Sequence, residues 1–99
     1  MKRVRSSRTF DRWFARLRDP GARQRVLVRV ERLAEGNPGD VKPVGGGVSE
    51  MRIDYGPGYR IYYKDTGDEI IILLCGGDKR TQHGDIADAI KIAKLYEEG

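Results

Sequence analysis

Cysteine is almost missing from this chain. Cys75 is the only one among 99 residues, so no intrachain disulfide can form and a reducing compartment fits. It stands in an apolar run, which suits a buried thiol better than a nucleophile. Histidine is equally scarce. His83 lies eight residues from Cys75 with no carboxylate cluster nearby, a spacing that matches no common zinc site, and no metal or cofactor is expected. Long hydrophobic runs are also lacking. The longest, Ile70 to Cys75, is too short to cross a bilayer, and the basic start MKRVRSSR is not followed by the apolar stretch of a signal peptide. These absences predict a cytoplasmic protein without a membrane partner. There is no repeat and no long low-complexity segment, and the length suits a single domain over residues 1–99 with one modest core.

Positive charge, by contrast, is plentiful and uneven. Residues 1–36 carry eleven Lys or Arg against four Asp or Glu, while residues 37–99 carry eight against eleven. An anionic partner, nucleic acid or acidic protein, would explain the basic first third; a solvated basic helix face would explain it equally well.

Periodicity divides the chain into helices first and a sheet after. Phe10, Trp13, Phe14 and Leu17 fall at i, i+3, i+4 and i+7, one stripe of a helix that needs a core to cover it. A second helix is punctuated by Asp19 as N-cap, Pro20 at its first position and Gly36-Asn37-Pro38 at its stop. Its apolar side is Ala22, Val26, Val30, Leu33 and Ala34, with Arg23, Arg25, Arg29 and Arg32 mostly outside it. The two make a tight helical hairpin, and Lys2 to Arg5 ahead of them reads as a short edge strand.

From Val48 the period changes to two. Met51, Ile53 and Tyr55 alternate with Glu50, Arg52 and Asp54; after Gly56-Pro57-Gly58, Tyr59, Ile61 and Tyr63 alternate with Arg60, Tyr62 and Lys64. A three-residue loop would pair Asp54 with Arg60, Arg52 with Tyr62, and Glu50 with Lys64 on one charged face. Gly45 to Gly47 reads as a loop, and Asp65 to Asp68 turns the chain into Ile70–Cys75, apolar on both sides and therefore central. Ile86, Ala89, Ile90 and Ala93 then mark a last helix. The expected fold is α+β: an N-terminal helical hairpin packed on the apolar face of a small antiparallel β-sheet, followed by a C-terminal helix, with the charged face left open.

Several chemistries can be set aside. Gly76 to Thr81 lacks the phosphate-loop spacing, and nothing in the spacing of Ser49, His83 and Asp85 favours a nucleophilic triad over chance. Cleavage of RNA without a metal remains. It needs a base for the 2′-hydroxyl proton, cations for the charge growing on phosphate, and an acid for the leaving oxygen. Arg52, Arg60, Lys79 and Arg80 are candidate cations, and His83 is the ready-made proton carrier; Tyr62 or Lys42 would need a shifted environment. A solvated face with cross-strand ion pairs accounts for Arg52 and Arg60 as well, and His83 serves equally as a local hydrogen-bonding residue. Lys79 and Arg80 point more firmly to an anion, since they leave a buried strand for a helix, where backbone N–H groups also converge.

At these residues the chain resembles the RelE/ParE superfamily of toxins from bacterial toxin–antitoxin systems, and within it the HigB-like branch. The resemblance spans nearly the whole chain. It rests on the aromatic first helix around Phe10 and Trp13, on residues 36–42 (GNPGDVK), 48–53 (VSEMRI), 56–63 (GPGYRIYY) and 73–79 (LLCGGDK), and on Thr81-Gln82. It implies a growth-arresting toxin neutralised by a cognate antitoxin, commonly a helix-turn-helix DNA-binding protein, and RelE-like members cut mRNA on the ribosome. By this likeness Arg60 and Lys79 or Arg80 match the family's functional basic positions, with Arg52, Lys42 and Tyr62 as substrate contacts. Ile86 stands about where many relatives carry an aromatic acid or base, so His83 is the expected substitute. ParE-like members share the fold and instead poison DNA gyrase by binding, and a degenerate toxin would bind only its antitoxin.

Overall fold

The computed structural model describes residues 1–97. The chain order is β1 (Arg3–Ser6), α1 (Arg8–Arg16), α2 (Pro20–Ala34), β2 (Val41–Gly45), β3 (Val48–Ile53), β4 (Tyr59–Asp65), β5 (Ile70–Asp78), a 3₁₀ turn (Lys79–Thr81) and α3 (Gln82–Glu97). The α+β architecture is the expected one: helical hairpin, sheet, final helix.

Local chemistry sets the helix ends. Ser7 caps α1 by accepting from the Phe10 N–H, and Asp19 caps α2 by accepting from the Gly21 N–H, with Pro20 at the first helical position. The carbonyls at the end of α1 are satisfied from α2: Arg23 Nη1 donates to the carbonyls of Phe14 (2.6 Å) and Leu17 (3.2 Å) while its guanidinium lies 4.2 Å from the Phe14 ring centroid.

The sheet has five strands in the order β1-β5-β4-β3-β2. β2 to β5 are antiparallel to their neighbours, whereas β1 runs parallel to β5, so the sheet is mixed. β2 was not anticipated. Pro43 and Gly45 lower its strand propensity, and it exists because it lies at the edge, where a missing N–H is tolerated. Gly46 and Gly47, with φ of 60° and 76°, turn it into β3 as a two-residue hairpin loop that L side chains would resist.

The β3–β4 register differs from the expected one. Arg52 faces Arg60, and Glu50 faces Tyr62, so the loop spans residues 54–58 and not three residues. A slip of two leaves every side chain on its expected face, because the side-chain period is two.

One face carries Met51, Ile53, Ile61, Tyr63, Ile71 and Leu73 against Phe10, Val26 and Leu33, with Trp13, Phe14 and Leu17 packed at its margin. The other face is not open as expected. Here α3 presses Ala89 and Ala93 against Val48, Tyr62, Ile72, Leu74 and Cys75. β5 is thus covered on both sides, and Gly76 and Gly77 continue it, one facing Trp13 and the next facing Thr81 and Asp85. Among the described residues, no helix is long and apolar enough to cross a membrane.

Candidate functional site

Register places the charged residues in two rows on the α3 face. Lys42, Glu50, Tyr62 and Cys75 are successive cross-strand neighbours, and Arg52, Arg60 and Gly77 form the next row. Two arginines directly opposite one another repel, so something must hold them.

Glu50 does so. It is fully buried. Its Oε1 accepts from Arg52 Nε at 3.0 Å, and its Oε2 accepts from the Tyr62 hydroxyl at 3.1 Å and from Gln82 Nε2 at 2.7 Å. Burial alone would raise its carboxyl, but the hydrogen bonds from Gln82, Arg52 and Tyr62, with the Arg52 charge, hold it below the usual range. Gln82 is the first residue of α3, so the same carboxylate ties the arginine row to the last helix.

Arg60 is nearly enclosed, with 13 % of its side chain exposed. Its Nη1 donates to the carbonyls of Gly58 (3.1 Å) and Tyr59 (3.3 Å), while its buried Nε, 3.9 Å from Glu50 Oε1, has no hydrogen-bond partner among the described residues. Arg52 keeps 36 % of its side chain exposed. With Lys79 they line a groove of about 320 Å³ that also includes Gly58, Asp40 and Asp54. Three cations therefore face two carboxylates, and the groove is distinguished less by formal charge than by guanidinium donors held in place.

The other expected residues are spread around this groove. Arg80, beside Lys79 in the 3₁₀ turn, is exposed and paired with Asp78 at 3.2 Å; Asp78 also accepts from the Arg80 N–H and caps the turn. The Arg80 hydrogen bond is the main cause that lowers the Asp78 carboxyl. His83 is exposed in the first turn of α3 and is not among the groove's lining residues. Lys42 is exposed on the edge strand across from Glu50. Tyr62, expected to contact substrate, has no exposed surface: burial first, then the Glu50 charge and hydrogen bond, push its hydroxyl well above the ordinary phenol range, so it orients Glu50 and offers no base.

Two participants went unrecognised in the sequence. Glu50 looked like one partner in a surface ion pair, and Gln82 entered only as part of a family motif. The clue lay in α3, whose small apolar residues Ala89 and Ala93 require a sheet face to cover. Asp85 is a third. It accepts a short hydrogen bond from the Thr81 hydroxyl and lies over Gly77, next to Arg60 in the row, and burial raises its carboxyl above the ordinary value.

A helical hairpin on a five-stranded mixed sheet with a last helix agrees with the α+β fold expected from the likeness to toxins of toxin–antitoxin systems. The chain belongs to the family described as phage-derived protein Gp49-like (DUF891), which it matches over residues 12–97. That family is RelE-like and associated with the toxins of such systems, which gives this chain a toxin's role and implies an antitoxin partner. A relative in Haemophilus influenzae, described only as an uncharacterized protein, is 44 % identical over 91 residues, 92 % of each chain.

Proposed function

We propose that this toxin is a ribosome-dependent mRNA endonuclease that arrests translation without a metal ion. In this reading the 2′-hydroxyl attacks the adjacent phosphorus and gives up its proton to a base. The bond to the 5′-oxygen then breaks, that oxygen is protonated, and a 2′,3′-cyclic phosphate and a 5′-hydroxyl remain. Arg60, Arg52 and Lys79 would donate to the phosphoryl oxygens as charge grows on them, Arg80 and Lys42 would meet flanking phosphates, and His83 would carry the proton. The observation that carries the reading is the arginine pair clamped on buried Glu50 at the floor of a groove. Arg60 keeps 13 % of its side chain exposed, and phosphate would meet its guanidinium through that surface in the groove. The order and spacing of the sequence motifs taken together, from the aromatic first helix to Thr81-Gln82, support a HigB-like placement, and with it a helix-turn-helix antitoxin.

Primer extension on an mRNA in a purified translation reaction, with a ribosome-free control, tests this. Ribosome-dependent cuts are expected, and Arg60→Ala should reduce them about 10²- to 10³-fold. Loss of a single structural hydrogen bond would not produce so large an effect without unfolding, which circular dichroism checks.

One observation favours a rival. The groove's lining residues include no histidine or tyrosine, as a ParE-like gyrase inhibitor acting by binding would have it. Growth arrest with intact mRNA and inhibited gyrase supercoiling would decide for that reading. Antitoxin binding without toxicity would mark a degenerate toxin.

A further inference from the structure

A second groove, about 440 Å³, neighbours the arginine-row groove between α2 and the end of β3. Arg25, Val28, Arg29 and Arg32 line one wall, and Ile53 and Asp54 the other. The α2 residues are spaced i, i+3, i+4 and i+7, so they form one stripe beside the buried face of Ala22, Val26 and Leu33. Arg29 builds the groove. Its Nη1 donates to the Arg52 carbonyl at 2.6 Å and its Nη2 to the Pro38 carbonyl at 3.1 Å, which ties α2 to β3 and to the loop before β2. Arg25 lies over the Tyr55 ring, 4.0 Å from its centroid. Arg32 is exposed, and among the described residues its guanidinium makes no hydrogen bond or ion pair, while its carbonyl accepts from the Glu35 and Asn37 N–H groups.

Two properties identify an occupant. Three guanidiniums face one carboxylate, so the groove attracts negative charge. Its lining is nevertheless partly apolar: Val28, 39 % exposed, and Ile53 stand among the charged residues. Single-stranded nucleic acid takes basic grooves with aromatic rings on which bases stack, and no aromatic residue lines this groove. A protein segment that alternates carboxylates with aliphatic side chains satisfies both properties at once.

We infer that the α2–β3 groove is the docking site for an acidic, aliphatic-rich segment of the antitoxin, separate from the arginine-row groove. This rests on the toxin reading for the partner's identity. Because Ile53 and Asp54 line both grooves, an occupant of the first would also border the second. Neutralisation would then follow from a neighbour that narrows access to Arg52 and Arg60 without contacting them.

The test uses this full chain and, as probe, its purified cognate antitoxin, with affinities measured by calorimetry. Arg32→Glu and Val28→Asp are surface changes, and thermal melts check that both variants fold. Each is expected to weaken antitoxin binding about tenfold or more, with Arg32→Glu also flattening its salt dependence, while toxicity in cells is retained. Lys94→Glu, an equal charge change on α3, is expected to leave binding within about twofold. Wild-type affinity in both folded variants would overturn the docking site and leave the toxin reading intact. An antitoxin that fails to bind even the wild-type chain would overturn both. Folded variants that keep the antitoxin but lose toxicity or RNA binding would assign the groove to RNA and overturn the inference.

Discussion

The two faces of the sheet are stabilised by different means. Against α1 and α2 the interior is dry and apolar, with Met51, Ile61 and Ile71 fully enclosed and the rings of Phe10, Trp13 and Tyr59 in tilted or edge contact. Against α3 the aliphatic part is smaller, and a carboxylate lies within it, bonded to Arg52, Tyr62 and Gln82. The first face can absorb a change of shape by repacking. The second holds a charge whose removal leaves the enclosed Tyr62 hydroxyl without water or partner and frees Arg52 and Gln82, so stability and site geometry are the same property there.

Removing that charge should have the largest effect. Glu50→Ala leaves Tyr62 unsatisfied, frees Gln82 and leaves Arg52 facing Arg60 without a counterion, and is expected to cost about 3–5 kcal/mol in urea unfolding. Glu50→Gln keeps the volume and part of the bonding, and should cost clearly less while still reducing activity. If Glu50→Ala unfolds no more easily than an exposed substitution, the second face is not built on its carboxylate.

The consecutive glycines of β5 compare the faces directly, since neighbouring residues in a strand point to opposite sides. A Cβ at Gly76 would run into the Trp13 ring, and one at Gly77 into Thr81 and the Asp85 carboxylate. Both alanine variants should lose about 1–3 kcal/mol by overpacking. They should differ in function. Gly76→Ala strains the hairpin side and leaves the arginine row in place, whereas Gly77→Ala lifts the first turn of α3 and displaces Gln82 from Glu50. A greater fall in activity per unit of lost stability for Gly77→Ala would support the division; equal falls would break it.

The apolar face was the legible one. Phe10, Trp13 and Phe14 at helical spacing, the Asp19-Pro20 start of α2, and alternation from Met51 to Tyr63 are local signals, and each element formed where local physics put it. The other face depended on contacts distant in sequence. Pairing of β1 with β5 joins residues 67 apart, and no local pattern reports whether such a pair is parallel. The alternation that placed Glu50, Arg52, Arg60 and Tyr62 on one side was right, but their polarity suggested water. Burial came instead from α3, and it separated residues that had looked alike: Tyr62 became core, Arg60 nearly so, and Lys42, Arg80 and His83 stayed outside.

The smallest predicted effect is in the pH dependence of the α3 face, where two carboxyls are displaced in opposite directions. Glu50 is lowered, so its contribution is full above the unfolded value near 4.5 and is lost as pH falls through its folded value. Asp85 is raised, chiefly by burial and then against the Thr81 hydrogen bond by the nearby Asp88 and Asp78 charges. Its folded form binds the proton more readily than its unfolded form, so its contribution is full below 3.8 and is lost as pH rises through its folded value. Asp85→Asn removes the charge and retains an acceptor for Thr81. At pH 7 the variant should gain about 0.5 kcal/mol, a gain limited because a carboxylate in the first turn of α3 also favours the helix dipole. The gain should vanish below pH 3.8, where the native carboxyl is already protonated. Urea midpoints of both proteins across that range provide the check: a difference that stays constant with pH would mean that Asp85 acts through packing over Gly77 and not through its charge.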